Sequence, residues 1–83
     1  MTYTVTIHQE QEQYVAIAPD LGYTSSYGDS IEEALAQLTQ ACELYTEDLT
    51  EFPKARTLAE LKEAGEISKD KKPYSIELTP VQN

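Results

Sequence analysis

The sequence predicts an α+β fold, in which an antiparallel β-meander packs against one long helix and is followed by a short helix and a closing strand. Three observations predict it. Apolar residues alternate with polar ones near both ends of the chain. Residues 31–52 contain neither glycine nor proline, and their apolar residues follow helical spacing. The connections between the first three predicted strands are short. We therefore expect the order β-β-β-α-(short α)-β.

The length of 83 residues predicts a single domain over residues 1–83. Within it we expect the meander and long helix over 1–53, a connector with a short helix over 54–72, and the closing strand over 73–80. A chain of this size buries a thin core, so self-association would help to stabilise it. We therefore expect a homo-oligomer.

Three segments predict the meander. Residues 2–8 alternate strictly and have high β-propensity, which is typical of a half-buried strand. Residues 9–13 are polar and predict a hairpin loop. Residues 14–18 are apolar on both faces, which favours a more central strand, and Pro19 ends it because proline has no N–H for the sheet. Residues 23–27 predict a third strand.

The helix begins at a strong start signal. Ser30 is a favourable N-cap, and Glu33 three residues later completes a capping-box pattern. Gly28 is expected to end the preceding strand because glycine adopts backbone conformations that other residues resist. The helix is predicted from Ile31 to about Thr50. Its apolar stripe should lie on the sheet: Ile31, Ala34, Leu35, Leu38, Ala41, Cys42, Tyr45 and Leu49.

The remainder of the chain predicts a short helix and a strand. Thr57 and Glu60 form a second capping-box pattern, and Gly65 is the expected C-cap. The segment after Pro73 alternates again. It either joins the sheet edge or pairs with another subunit. Its apolar residues are the candidate oligomer interface: Tyr74, Ile76 and Leu78.

Charge is distributed unevenly along the chain. The formal net charge is −9, and residues 1–53 contain ten acidic residues but neither lysine nor arginine. Direct nucleic-acid binding requires a basic face, so this part of the chain disfavours it. An acidic surface attracts basic partners. It also keeps a small protein in solution, and the composition alone leaves both interpretations open.

The outer face of the predicted helix concentrates this charge. Glu43, Glu47 and Glu51 form like-charged pairs at i,i+4, and the last two crowd the negative end of the helix dipole. No lysine or arginine in the helix offsets them. The face therefore serves either as a solvated surface or as a contact for a cationic partner. The candidate partner-binding residues are Glu32, Glu43, Leu44, Glu47 and Glu51.

No residue pattern indicates catalysis, a metal site or a cofactor. His8 is the only histidine and lies on the polar side of a strand. Cys42 falls in the apolar stripe without a cationic neighbour to activate it. Asp20 and Asp29 flank the third strand; turn and cap roles account for both, with a metal pair as the alternative. Residues 1–15 lack the features of a signal peptide, and no segment predicts a membrane span. We expect a cytoplasmic protein.

The ordered motifs resemble those of the HicB-like antitoxin family. The similarity covers residues 3–48. It consists of the opening Tyr3, Val5 and Ile7, then Tyr14-Val15-Ala16, Pro19-Asp20-Leu21, Gly28-Asp29-Ser30-Ile31-Glu32-Glu33-Ala34-Leu35, and finally Ala41 with Leu44-Tyr45. The resemblance implies a reduced ribonuclease-H-like fold without the acidic metal site of that enzyme. It points to a short member without a C-terminal DNA-binding domain.

The resemblance also implies a function. A HicB-like antitoxin would bind and neutralise a small, basic, RNA-cleaving toxin of the HicA type, without catalysis of its own. An orphan structural or regulatory module that associates with itself is the alternative. In a third reading, the basic residues within 54–72 contact nucleic acid, alone or grouped in an oligomer.

Overall fold

The computed structural model describes residues 1–67 and 72–79. Four strands form one antiparallel sheet in the order β3-β2-β1-β4. In chain order the elements are β1 (Thr2–Glu10), β2 (Gln13–Ala18), β3 (Thr24–Gly28), α1 (Ile31–Glu47), α2 (Leu58–Glu63) and β4 (Tyr74–Glu77), with a 3-10 turn at Pro19–Leu21 between β2 and β3. The predicted α+β fold and its meander are confirmed. Parts of the predicted connector and closing strand, residues 68–71 and Pro80, lie outside the described residues.

The first hairpin is tighter than the sequence predicts. β1 continues to Glu10 and pairs there with Gln13, so only two residues form the turn. Gln11 adopts a φ of 55°, which is a left-handed conformation uncommon for a residue other than glycine. Gln9 and Glu10, predicted as part of the loop, therefore belong to β1, where they pair with Tyr14 and Gln13.

The sheet face that contacts α1 carries the apolar core. The register sets Tyr3 opposite Ile76 and Ile7 opposite Ala16. Paired residues project from the same side of a sheet, so the apolar sides of β1, β2 and β4 coincide. The apolar side of β1 lies in the buried cluster, and so do Ile76 and Leu78, which the sequence offers as an oligomer interface. The cluster comprises Tyr3, Val5, Ala16, Ala18, Leu21, Ala34, Leu38, Cys42, Ile76 and Leu78.

Helix α1 starts at the predicted N-cap, Ser30, but with only one of the two hydrogen bonds of the predicted capping box, and it ends earlier than predicted. The Ser30 side chain accepts a hydrogen bond from the Glu33 backbone N–H at 3.1 Å. The helix ends at Glu47 rather than near Thr50. Thr46 is buried and its hydroxyl donates to the Cys42 carbonyl, while the last turn contains acidic residues and no basic one, which disfavours continuation. As a result, Leu49 from the predicted apolar stripe is 40% exposed.

Gly28 ends β3 as predicted, but for a different physical reason. Its φ is not in the left-handed region, where only Gly22 and Gly65 are found among the described glycines. A Cβ atom at Gly28 would instead lie 2.4 Å from the backbone nitrogen of Ala34. Glycine is needed here because the end of β3 passes directly against the first turn of α1.

Two long-range contacts fasten the connector after α1. The Arg56 backbone N–H and its Nε both donate to the Asp20 carboxylate, at 2.7 and 2.6 Å. The Tyr3 hydroxyl donates to the Pro53 carbonyl at 2.6 Å. The connector then enters α2 through the predicted capping box. The connector is therefore held against the ends of β1 and β2.

The capping box of α2 is confirmed, but the C-cap is Ala64 and the predicted Gly65 lies one residue after it. The Thr57 hydroxyl accepts from the Glu60 N–H, and the Glu60 carboxylate accepts from the Thr57 N–H. Gly65 follows the helix with a φ of 79°. Leu61 is fully buried, so this short helix is packed onto the fold.

Candidate partner-binding groove

One groove lies beside the C-terminal half of α1. Its volume is about 900 Å³ and it opens to solvent. It is bounded by the outer side of α1, the segment that follows the helix, the first residue and the segment after β4. We call it the acidic groove, defined by its lining residues: Met1, Gln40, Glu43, Leu44, Thr46, Glu47, Leu49, Thr50, Glu51, Phe52, Leu78 and Thr79.

The acidic groove contains exposed apolar side chains. Leu44 is 70% exposed, although the same helix buries Leu38 completely. Met1 and Leu49 are also exposed, Phe52 is half-buried, and Leu78 is buried beneath them. Single exposed leucines are common, but apolar side chains grouped in one concave surface are typical of a protein contact.

Its charged members are all acidic side chains. Glu43, Glu47 and Glu51 are exposed, and no lysine or arginine side chain lines the groove within the described part of the chain. The N-terminal ammonium of Met1 donates to the Leu78 carbonyl and lies 3.4 Å from the Glu77 carboxylate. The negative potential of the three carboxylates therefore has no partner side chain in the groove.

The structure brings four of the five predicted partner-binding residues together. Glu43, Leu44, Glu47 and Glu51 all line the acidic groove. Glu32 lies near the start of the same helix, about 16 Å from Glu43 along the axis, and outside the groove. A partner contact at these residues stays a prediction.

Sequence reasoning missed the remaining walls of the groove. Helical spacing predicts Leu49 in the apolar stripe on the sheet, but α1 ends at Glu47 and Leu49 lines the groove instead. Phe52 and Met1 approach this site only through the tertiary fold. The acidic end of the helix, which has no stabilising cation, is the one local signal that indicates an early stop.

The residues predicted for an oligomer interface take part in the fold of the chain itself. Ile76 and Leu78 are 5% and 2% exposed and belong to the core, while Tyr74 is half-buried. β4 pairs with β1 on one side and forms an edge of the sheet on the other. A contact with a second copy through β4 would therefore use its backbone edge, and it stays a prediction.

The other candidate groups have structural partners. Asp20 and Asp29 lie at opposite ends of β3, and the Asp20 side chain, only 4% exposed, is paired with Arg56. The hydrogen bond to Asp20 raises the pKa of the Arg56 guanidinium. Arg56 is one of the basic residues within 54–72 considered for nucleic-acid contact, and its side chain is already paired with Asp20. Burial raises the pKa of the Cys42 thiol to about 11, so the thiol is protonated at neutral pH.

Residues 1–67 and 72–79 contain neither a candidate metal site nor a helix suited to span a membrane. No three histidine, cysteine, aspartate or glutamate side chains in these ranges are grouped so as to hold a metal ion. None of the helices in these ranges combines the length and apolar character that crossing a membrane requires.

Comparison with known proteins gives the family. The family model described as HicB-like antitoxin of bacterial toxin–antitoxin systems matches residues 3–76. The N-terminal domain of the antitoxin HicB from Burkholderia pseudomallei has a similar fold, with a TM-score of 0.73 at 18% sequence identity, over 96% of this chain and all of that one. A comparison with curated protein sequences gives no match. The chain therefore belongs to the HicB-like antitoxins of bacterial toxin–antitoxin systems.

Proposed function

We propose that this protein is a non-enzymatic antitoxin that binds and neutralises a small, basic, RNA-cleaving toxin of the HicA type in the cytoplasm. Membership of the family supports the toxin–antitoxin role. The observation that carries the proposed mechanism is the acidic groove, which combines exposed apolar side chains with three carboxylates and is lined by no lysine or arginine side chain of the described residues. A toxin that binds RNA presents a basic face, and this groove is complementary to such a face in charge.

The two components of the groove have different parts in the proposed mechanism. Glu43, Glu47 and Glu51 attract the basic toxin and accelerate the encounter. Leu44 and Leu49 then exchange their exposure to water for burial against the toxin, which lengthens the life of the complex. The bound antitoxin would cover the RNA-binding face of the toxin and exclude RNA by steric occlusion.

The experiment begins with a basic protein encoded beside this one. The two proteins are co-expressed, and their complex formation, RNA cleavage and growth are measured. We expect co-purification, loss of cleavage and relief of growth arrest. Failure of the best neighbouring candidate to bind or to be inhibited would favour the orphan module instead.

Charge reversal tests the site within the same system. The variant E43K/E47K is expected to bind the toxin roughly tenfold more weakly at low salt, because two attractive contacts become repulsive. The matched control E12K/E63K changes the net charge equally, at exposed positions outside the acidic groove. Unchanged affinity of E43K/E47K at low salt would contradict the proposed site.

Self-association is a second candidate, with or without a toxin. The four-residue strand β4 leaves its outer edge unpaired within the described part of the sheet, and an exposed edge can accept a strand from a second copy. Light scattering would detect the dimer. A strictly monomeric protein at high concentration would exclude this candidate.

A further inference from the structure

We propose that the acidic groove recognises an amphipathic basic helix of its partner, which inserts an apolar side chain between Leu44 and Leu49 and aligns cations with Glu43 and Glu47. This inference rests on the proposed function, because it assigns the kind of segment that such a toxin presents. It concerns the shape and chemistry of the ligand, which neither the family nor the fold determines.

The spacing of the lining residues favours a helical partner. Gln40, Glu43, Leu44 and Glu47 lie at i, i+3, i+4 and i+7 on α1 and form one continuous ridge. Side-chain ridges of this kind pack against the grooves of another helix. Glu43 and Glu47 are one turn apart, about 6 Å along the axis. Lysine or arginine residues four positions apart on a facing helix repeat the same distance.

The walls of the groove also fit an apolar anchor. Leu44, Leu49 and Met1 are exposed, and Leu78 is buried below them, so an entering side chain meets apolar atoms on several sides. The volume of about 900 Å³ exceeds the space needed by one side chain and lies within the range of ligand pockets. A helix that places one apolar face into a groove is an established mode of protein recognition.

An extended partner strand fits this surface less well. Strand addition requires an unpaired backbone edge, which gives the affinity through main-chain hydrogen bonds. The side of the acidic groove formed by α1 has its backbone groups hydrogen-bonded within the helix. It therefore offers a partner its side chains and no free backbone edge. Recognition by this side of the groove therefore depends on the pattern of apolar and basic side chains on the partner.

The test uses a synthetic helical peptide of about 14 residues, roughly four turns, built from alanine, leucine and lysine. Its leucines form one face and its lysines flank that face at i,i+4 spacing. A scrambled peptide of the same composition serves as the control ligand. Fluorescence anisotropy at low salt is expected to show at least tenfold tighter binding of the amphipathic peptide.

Variants of the full chain assign the contact. L44D should weaken binding of the amphipathic peptide at least tenfold, while circular dichroism stays unchanged because Leu44 is 70% exposed. E43K/E47K should weaken it roughly tenfold at low salt and less at high salt, as screening requires. The control E12K/E63K should bind as the unsubstituted chain does.

Several results would overturn the inference. Equal binding of the scrambled peptide would show that charge alone attracts it. Self-association that L44D abolishes would assign the groove to a second copy. Peptide affinity that rises more than tenfold when residues 80–83 are removed would assign it to the chain's own C-terminal residues. If L44D inhibits the toxin as well as the unsubstituted chain does, the groove contact is refuted and the proposed function stands. If the amphipathic peptide binds but no toxin is inhibited, the groove contact stands and the proposed function is refuted.

Discussion

Replacing Gly28 by alanine should destabilise the protein more than the same substitution at Gly65, because the added Cβ at Gly28 meets backbone atoms. The added Cβ would lie 2.4 Å from the Ala34 nitrogen and 2.8 Å from the Glu33 carbonyl carbon. Ordinary contacts of this kind are about 3.4 Å or longer, so β3 and the first turn of α1 must separate by about 1 Å. Both partners are backbone atoms and no rotamer change can relieve the contact.

We estimate a loss of about 3 kcal/mol, at the upper end of the usual cost of overpacking. A domain of this length has a total stability of roughly 4–12 kcal/mol, so the loss is a large fraction of it. The melting temperature should fall by roughly 12–24 °C. Urea unfolding followed by circular dichroism measures the free energy, and an unchanged m-value would show that the two-state comparison holds.

Gly65→Ala is the matched control. Gly65 has a φ of 79°, but a Cβ there would meet nothing within 4 Å. The substitution should therefore cost only the left-handed strain, about 1–2 kcal/mol. If Gly28→Ala were no more destabilising than Gly65→Ala, the close approach of β3 to α1 would not be the reason for glycine at position 28.

Three further predictions concern the core and the connector. Tyr3→Phe removes the hydrogen bond to Pro53 and should cost about 1 kcal/mol in urea unfolding. Cys42 is buried and its thiol pKa is raised to about 11, so at about pH 8 it should react with a thiol reagent far more slowly in the folded protein than in the chain unfolded by urea. Hydrogen bonds from Thr57 lower the pKa of Glu60, so this group contributes stability above its unfolded pKa that is lost as pH falls through the lower folded value. Between about pH 6 and about pH 3, the unsubstituted chain should lose more stability than Glu60→Gln, measured by urea unfolding at each pH.

Local signals predict the elements of this fold well. The alternation in β1 and β4, the Ser30 cap and the Thr57 capping box involve residues within a few positions of each other, so the sequence displays them directly. The end of α1 was harder, because apolar spacing continues to Leu49 while the acidic last turn disfavours the helix. The end of α1 at Glu47 follows the electrostatic signal rather than the apolar spacing.

The features that the sequence did not predict are non-local. The pair of Asp20 and Arg56 joins residues 36 positions apart, and nothing near either residue indicates the other. The tight contact at Gly28 depends on the angle at which α1 crosses the sheet. The candidate site was predicted in part, since the glutamates and Leu44 are visible on one helix face. Its apolar walls come from the segment after α1, the first residue and the segment after β4.

The pairing of β4 with β1 has a consequence for the order of assembly. Thr2 pairs with Glu77, so this ladder joins segments that lie 75 positions apart in the sequence. Contacts of such long sequence separation form late, because a long loop must close before they gain stability. Met1 and Leu78, which complete the acidic groove, meet only through this ladder. Cleavage just before β4 would leave β1, β2, β3 and α1 in one fragment but would separate Leu78 and Thr79 from it, and these residues line the groove. Partner binding should therefore be sensitive to proteolysis in the segment before β4.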